Sequence, residues 1–264
     1  MAPIVAGDYG KDAVSVYRIS GDRLFACEVR IIARGESLDP SYTEGDNSLV
    51  VATDSMKNFV HVTALGYESE SLEDLLVEIG RRFLNRYGHL QAVQLQGTEA
   101  TFARREGNVL QRLYDDRGFA RVSLFDDGDR MERSGRERLH LVKLSGSAFA
   151  GFVRDEYTTL PESRDRPLFV HVDVDWHNAD YDRRADNEAV RETIIGVFAA
   201  FESESIQHLV HAMGVEILER FPEIDNVAFR AENRLWDTVQ EGDGAKVYTD
   251  ARPPFGVITL SLGR

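Results

Sequence analysis

Residues 68–96 read ESESLEDLLVEIGRRFLNRYGHLQAVQLQ, and residues 202–230 read ESESIQHLVHAMGVEILERFPEIDNVAFR. Laid over one another without a gap, at an offset of 134, they share nine identities in 29 positions. The word Glu68-Ser69-Glu70-Ser71 recurs as Glu202-Ser203-Glu204-Ser205. Leu75/Leu209, Gly80/Gly214, Leu84/Leu218, Arg86/Arg220 and Val93/Val227 follow. Helix or strand periodicity can imitate the apolar matches, but it does not repeat a four-residue polar word. The chain therefore reads as an internal duplication, which governs every later assignment of elements.

Each copy has the same grammar. Ser71 precedes Leu72, Leu75, Leu76, Ile79, Phe83 and Leu84, a spacing of three and four that puts one apolar face on a helix. Ser205 precedes Ile206, Leu209, Val210, Met213, Ile217 and Leu218 in the same way. Ser71 with Asp74 resembles a capping box, in which a hydroxyl meets free amides at the helix start. A further helical stretch precedes each, at 54–65 and 187–201. Strand-like segments flank the helix pairs: Val14, Val16 and 24–33 before the first, 90–95 and 121–125 after it. In the second copy these are 140–144 and 169–176, then 227–231 and 257–262. Two strands, two helices and two strands per copy imply an α+β chain, with an antiparallel sheet and its helices on one face. The copies divide at 1–132 and 133–264. Eight strands so arranged leave an open edge, which association into a barrel would remove.

Composition sets bounds on function. With 45 acidic against 31 basic residues the net charge is −14, which argues against a nucleic-acid surface. No apolar run approaches the ~18–20 residues of a membrane span, and the start of the chain lacks the basic opening of a secretory signal. The last three residues are not a peroxisomal tripeptide. Cys27 is the single cysteine, so no intrachain disulfide forms and a reducing cytoplasm is the expected location.

Three polar stretches exceed what such a scaffold needs. Asp8-Tyr9-Gly10-Lys11-Asp12 reads by itself as a turn before the first strand. Residues 46–58, DNSLVVATDSMKN, read as a strand leading to a helix capped by Thr53 or Asp54. Residues 151–162, GFVRDEYTTLPE, followed by Asp165-Arg166, read as a solvated charged loop.

Taken together, Tyr9-Gly10-Lys11, Asp46-Asn47-Ser48, residues 51–58 and residues 151–160 with Asp165-Arg166 resemble urate oxidase, the cofactor-free uricase family of purine catabolism. The likeness runs over nearly the whole chain, and the Arg-Asp-Glu-Tyr-Thr-Thr-Leu word at 154–160 is highly specific. It implies a tandem tunnelling-fold (T-fold) repeat assembled as a homotetramer, a purine substrate, dioxygen as co-substrate, and no metal or other cofactor. By the same resemblance Lys11 and Thr53 form a proton relay with Asp54 beside them. Phe149 stacks on the purine, and Arg166 and Gln207 grip its polar edges. Leu160 and the backbone of Ile206 complete the wall, and Asn233 stands near the dioxygen site. The family's pocket lies between subunits, Lys11, Thr53 and Asp54 coming from one chain and the rest from its neighbour. The residue types suit the task. An aromatic platform and a bidentate guanidinium fit a flat, electron-rich anion, and Gln offers donor and acceptor to an amide edge. A Thr hydroxyl needs a Lys beside it to move a proton.

One position departs from the family pattern. A His belongs two residues after that Asn, and here the segment is Asn233-Arg234-Leu235; His211 is the last histidine of the chain. Leu235 cannot carry a proton and makes this side of the pocket apolar. The readings left open are oxidation of urate, oxidation of a related purine or azapurine, and a non-oxidising purine- or pterin-binding T-fold protein. The last gains from Glu73, which holds in the first copy the place of Gln207. His171, Asp173, Asp175 and His177 share a strand face, but alternate residues stand ~6.6–6.8 Å apart, so all four cannot reach one ion. His208 and His211 lack a third ligand, and Asp126-Asp127-Gly128-Asp129 reads as a turn.

Overall fold

The computed structural model describes residues 4, 7–69 and 71–264. Glu70, within the repeated word, lies outside the described residues. The chain forms two units, Met1–Ser134 and Gly135–Arg264.

The first unit opens with β1 (Asp8–Ser20) and β2 (Arg23–Arg34), an antiparallel hairpin. A short helix α1 (Asp39–Thr43) leads to α2 (Thr53–Leu65) and α3 (Leu72–Arg86). Then come β3 (Ala92–Glu99), a small ribbon of β4 (Phe102–Arg104) and β5 (Leu110–Arg112), and β6 (Arg117–Phe125). The sheet is ordered β1-β2-β3-β6 and antiparallel throughout. Strand β7 (Arg130–Lys143) contains the division between the units. Its start is a tight hairpin: Phe125 N–H donates to Asp129 O, and Asp129 N–H to Asp127 Oδ1.

The second unit continues with β8 (Leu168–Asn178), α4 (Asn187–Ala200), α5 (Ile206–Arg220) and β9 (Ile224–Asn233). A ribbon of β10 (Asp237–Gly242) and β11 (Ala245–Thr249) precedes β12 (Gly256–Gly263). Strands β8, β9 and β12 pair antiparallel in that order. Both units are thus copies of one α+β plan, the tandem T-fold arrangement. The outer strands β1 and β12 each have one strand neighbour, so these strands do not close into a barrel within the chain.

The cores follow the alternation of the strands. Val29, Ile31 and Ala33 of β2 and Val93 and Leu95 of β3 face Leu75, Leu76, Ile79 and Phe83 of α3. Val170, Val172, Val174 and Trp176 of β8 and Val227 and Phe229 of β9 face Leu209, Met213 and Ile217 of α5. Ser71 Oγ accepts from Asp74 N–H at 3.1 Å, and Ser205 Oγ from His208 N–H at 3.1 Å, so the repeated serine caps the same helix twice. The repeated glycine has an equally physical reason. A Cβ on Gly80 would stand 2.5 Å from Leu124 Cδ1, and on Gly214 2.5 Å from Leu262 Cδ1. Cys27 is buried in the first core, its thiol pKa pushed up to about 12 by burial and the nearby Glu99. Met56 and Met213 are fully buried, and Met131 is exposed.

Two expectations need correction. Asp8–Asp12 is no turn but the beginning of β1. Gly10 is there because a Cβ would lie 1.9 Å from Ile31 O: a close backbone approach, not a change of direction, needs the glycine. Residues 46–52 form no strand. Asp46 Oδ1 accepts from Ser48 N–H, Val50 N–H donates to Asn47 O, and α2 starts at Thr53 with Ala52 in the cap position and no side-chain cap. Neither Thr53 nor Asp54 is the N-cap.

Adding the same methyl group at two helical glycines gives opposite outcomes. Gly214→Ala is expected to cost about 1–3 kcal/mol by overpacking. Gly196→Ala, in α4 where a Cβ meets nothing within 4 Å, is expected to add about 0.5–1 kcal/mol. Urea midpoints of the two variants check this; shifts of the same sign would contradict the packing account.

Candidate active site

In the first unit the relay candidates come together at the sheet's helix side. Lys11 pairs with Ile31, a core residue, so its side chain leaves β1 towards the helices. A β-bulge between Lys11 and Val14 reshapes the strand there, with Ala13 at φ 55° and its N–H donated to Asp12 Oδ1 at 2.8 Å. The Tyr9 hydroxyl accepts from Val51 N–H at 2.8 Å and so fixes the chain two residues before Thr53. Burial raises the Tyr9 phenol pKa, which keeps it protonated. Asp54 binds Lys57 Nζ at 2.7 Å and Asn58 Nδ2 at 3.0 Å. Lys57 first, then Asn58 and the charge of Lys11, hold its pKa below the usual carboxylate range. Thr53, half-buried at the first position of α2, spends no hydroxyl on capping.

The duplication gives this group a counterpart. An offset of 134 takes Thr53 and Asp54 to Asn187 and Glu188, at the start of α4. There the cation is Arg136, buried on β7, with Nη1 2.9 Å from Asn187 Oδ1 and 3.2 Å from Glu188 Oε2. Arg138, two residues further on, has positive φ, 60°, as Ala13 does two residues after Lys11. Lysine in one copy and arginine in the other occupy like places, and only the lysine can readily give up a proton.

In the second unit a backbone ladder assembles the other candidates. Arg166 N–H donates to Ser147 O at 3.0 Å, and Phe149 exchanges hydrogen bonds with Ser163 at 2.7 and 3.0 Å. On the other side Ala148 N–H donates to Ser203 O at 2.8 Å, and Ser203 N–H to Gly146 O at 3.4 Å. Asp165 Oδ1 accepts Gly146 N–H at 2.7 Å. The segment 146–149 is therefore held between the Arg166 loop and the residues that lead into α5. Ser147 and Ser203 are buried at its centre.

This ladder puts Phe149, Arg166 and the first turn of α5, Ile206 and Gln207, in one neighbourhood. The guanidinium carbon of Arg166 lies 5.6 Å from the Phe149 ring centroid. Phe152, which the sequence did not single out, stacks on Phe149 at 4.9 Å with 13° between planes. Arg166 Nε is buried with no hydrogen-bond partner among the described residues, and burial lowers the guanidinium pKa. Asn233 ends β9 opposite Val170, on the helix side, and its Oδ1 is likewise buried and unpartnered. Ile206 is buried, Gln207 exposed, Leu160 40 % exposed on its loop, and Leu235 half-buried just past β9. No hydrogen bond joins Gln207, Asn233 or Arg166 to one another among the described residues. Glu73, the counterpart of Gln207, is already engaged, accepting from Ser134 Oγ at 2.6 Å and Ser71 Oγ at 3.1 Å.

The histidine-rich strand is also engaged. His177 Nδ1 lies 2.8 Å from Asp225 and Nε2 3.1 Å from the Tyr181 hydroxyl. His171 stacks on His140 at 3.7 Å, 3.3 Å from Arg234 Nε. Among the described residues no three His, Cys, Asp or Glu side chains gather to hold a metal.

Comparison with known proteins converges on one family. The uricase family model matches residues 8–118 and 132–259. The uric acid degradation bifunctional protein of Bacillus sp. (strain TB-90) is 38% identical over 88% of the chain, which spans 52% of that relative's length. A uricase of Halalkalicoccus jeotgali is 37% identical, with 97% of this chain and 98% of that one covered. Among solved structures, a uricase from Bacillus fastidious superposes with a TM-score of 0.91 at 35% identity, over 97% of this chain and 93% of that one. Urate oxidase from Bacillus sp. TB-90 gives 0.89 at 34% identity, over 98% and 100%. With a family model matched over most of its length and full-length relatives above 30% identity, the chain belongs to the uricase family.

Proposed function

We propose that the chain is an oxidoreductase that oxidises urate with dioxygen and needs no bound cofactor. One observation carries the reading: Arg166 is held against the Phe149 ring with a buried Nε that no described protein group satisfies. A buried guanidinium donor without a partner costs free energy unless a ligand takes it. A planar anion stacked on Phe149 supplies that acceptor in the ring plane, and Gln207 at the start of α5 offers an amide to the opposite edge.

The reaction converts urate, dioxygen and water to 5-hydroxyisourate and hydrogen peroxide. Two electrons leave the purine, dioxygen takes them with two protons, and water provides the hydroxyl added at carbon 5. Loss of a urate proton produces the electron-rich dianion that reduces dioxygen directly. Thr53 and Lys11 serve as the path for that proton, the lysine making a hydroxyl usable that is too weak an acid by itself. Asp54, kept ionised by Lys57, holds the positive end of this path in place. Asn233 stands on the dioxygen side, where its unpartnered Oδ1 accepts from the water consumed or the peroxide formed. Leu160 and the Ile206 backbone wall the pocket.

Lys11, Thr53 and Asp54 belong to one unit and Phe149, Arg166, Gln207 and Asn233 to the other. In our reading each working pocket combines these halves from two subunits of a homotetramer. The unmatched edges of β1 and β12 are the natural places for association, since free strand edges seek partners. A second reading follows from Leu235. With no proton carrier there, the chain oxidises a related purine or azapurine for which addition of water is not required.

Urate supplied to the purified protein without metal or flavin is expected to consume oxygen and release peroxide one for one, followed with an oxygen electrode. Binding of urate without uptake would refute the oxidase reading. Thr53→Val and Lys11→Met should each lower kcat by about 10²–10⁴-fold. Arg166→Gln should raise KM by about 10–100-fold, the worth of a charged hydrogen bond. Tyr9→Phe leaves Val51 N–H without its partner and should lower kcat with little change in KM; a change in KM alone would place Tyr9 elsewhere in the mechanism. Leu235→His should raise turnover of urate if the missing proton carrier limits it, and no gain would favour the second reading.

A further inference from the structure

The faces of the two sheets turned away from the helices differ in how their charges are matched. In the second unit that face carries Asp173, Arg230, Glu232 and Arg234, and they answer one another. Arg230 lies 2.6 Å from Glu232 and 4.0 Å from Asp173, and Arg234 Nε 3.2 Å from Glu232. In the first unit the register sets Arg30, Gln96 and Arg121 side by side on β2, β3 and β6. Ile32, Gln94 and Ser123 form the next row. Strands stand ~4.8 Å apart, so the two arginines flank Gln96 over roughly 10 Å, a span their long side chains can close around a ligand.

These two cations are poorly satisfied. Arg30 has a loose pair with Asp12 at 3.7 Å, both side chains more than half exposed. Arg121 has no carboxylate partner among the described residues and lies over the Phe119 ring at 4.6 Å. Asp8, the acid at the rim, is taken by Nε and Nη2 of Arg34 at 2.5 and 2.6 Å. A cleft of about 360 Å³ lies over the row, of the size that takes a small molecule. On a chain with 14 more acids than bases, two under-paired arginines beside glutamine amides in a cleft are a local reversal of sign. Their groups repeat the chemistry of Arg166 and Gln207: guanidinium for an anionic oxygen, amide for both donors and acceptors.

We propose that Arg30, Gln96 and Arg121 form a second, low-affinity site for a planar heterocyclic anion, which gathers substrate against the chain's negative field. The choice of ligand rests on the urate reading above; the site itself rests on the register and the unmatched charge. Low ionic strength strengthens such collection, because salt screens exposed charges beyond about 10 Å at 0.1 M.

Calorimetric titration of the Arg166→Gln protein with urate under nitrogen tests the site apart from turnover. Beside the residual affinity of the weakened pocket, a weak binding component is expected that is lost in Arg166→Gln/Arg121→Gln and retained in Arg166→Gln/Arg121→Lys. Competition by inorganic phosphate at equal concentration would identify a general oxyanion site and overturn the planar-ligand assignment. No binding to Arg166→Gln, or binding indifferent to Arg121→Gln, would overturn the site itself. In the otherwise native enzyme Arg121→Gln should lower kcat/KM for urate about 2–5-fold at low salt, with kcat unchanged and the difference gone at high salt. If the native protein consumes no oxygen while the weak event persists and depends on Arg121, the oxidase reading fails and this site stands.

Discussion

Gly80 and Gly214 let each second helix lie close against its sheet, for a Cβ there would stand 2.5 Å from a side-chain methyl of Leu124 in β6 or Leu262 in β12. At that separation Leu75, Ile79 and Phe83, and Leu209, Met213 and Ile217, reach full burial against the strands. A helix pushed outwards by one methyl group would loosen these contacts along its length, because interiors are packed as densely as crystals. The position of α5 matters beyond stability. Its first turn follows Ser203 and Ser205, and Ser203 is one rail of the ladder that carries Phe149 and Arg166. Helix seating and site geometry are thus parts of one mechanical chain.

Two copies of one plan have taken up different work at like places. A strand cation followed two residues later by a positive-φ residue, and the polar start of a helix, recur as Lys11, Thr53, Asp54 and as Arg136, Asn187, Glu188. In the second set a buried guanidinium is tied directly to both helix residues, a strong and permanent link. In the first set the lysine is only half-buried and its charge is felt at Asp54 without a direct bond. The mirror case holds for the anchor. Glu73 is consumed by Ser71 and Ser134, while Gln207 projects freely at the surface. Arg136 and Glu73 are thus tied into the structure, whereas among the described residues their counterparts Lys11 and Gln207 are not.

How much of this could be read from residues alone depended on the range of the interactions involved. The helix pairs, the serine caps and the buried strand faces are local patterns of period 3.6 and 2, and they stand where the periodicity puts them. The repeated word exposed the duplication without any structure. Asp8–Asp12 misled because a glycine among polar residues signals a turn, whereas Gly10 answers to a carbonyl on another strand. Residues 49–51 suggested a strand because they are apolar, yet their backbone is held by Asn47 and the Tyr9 hydroxyl. The meeting of Phe149 with Arg166 and α5 depends on Ser163 and Ser203, which lie 14 and 54 residues beyond Phe149. Spacing cannot reveal such a ladder. The resemblance of residues 151–160 to a family word points to the segment, but its hydrogen bonds arise only in the folded chain.

The lone thiol of Cys27 has a bearing on the lifetime of such a catalyst. The oxidase activity proposed above would make the chain generate its own oxidant, and thiolates are the groups that peroxide attacks first. Burial pushes the Cys27 thiol pKa up to about 12, which disfavours the thiolate, and the residue is almost wholly buried. Met56 and Met213 are shielded in the same manner, which leaves Met131 as the accessible sulfur among the described residues. Under that proposed activity, oxidation is expected at the exposed Met131 before the sulfurs buried in either core.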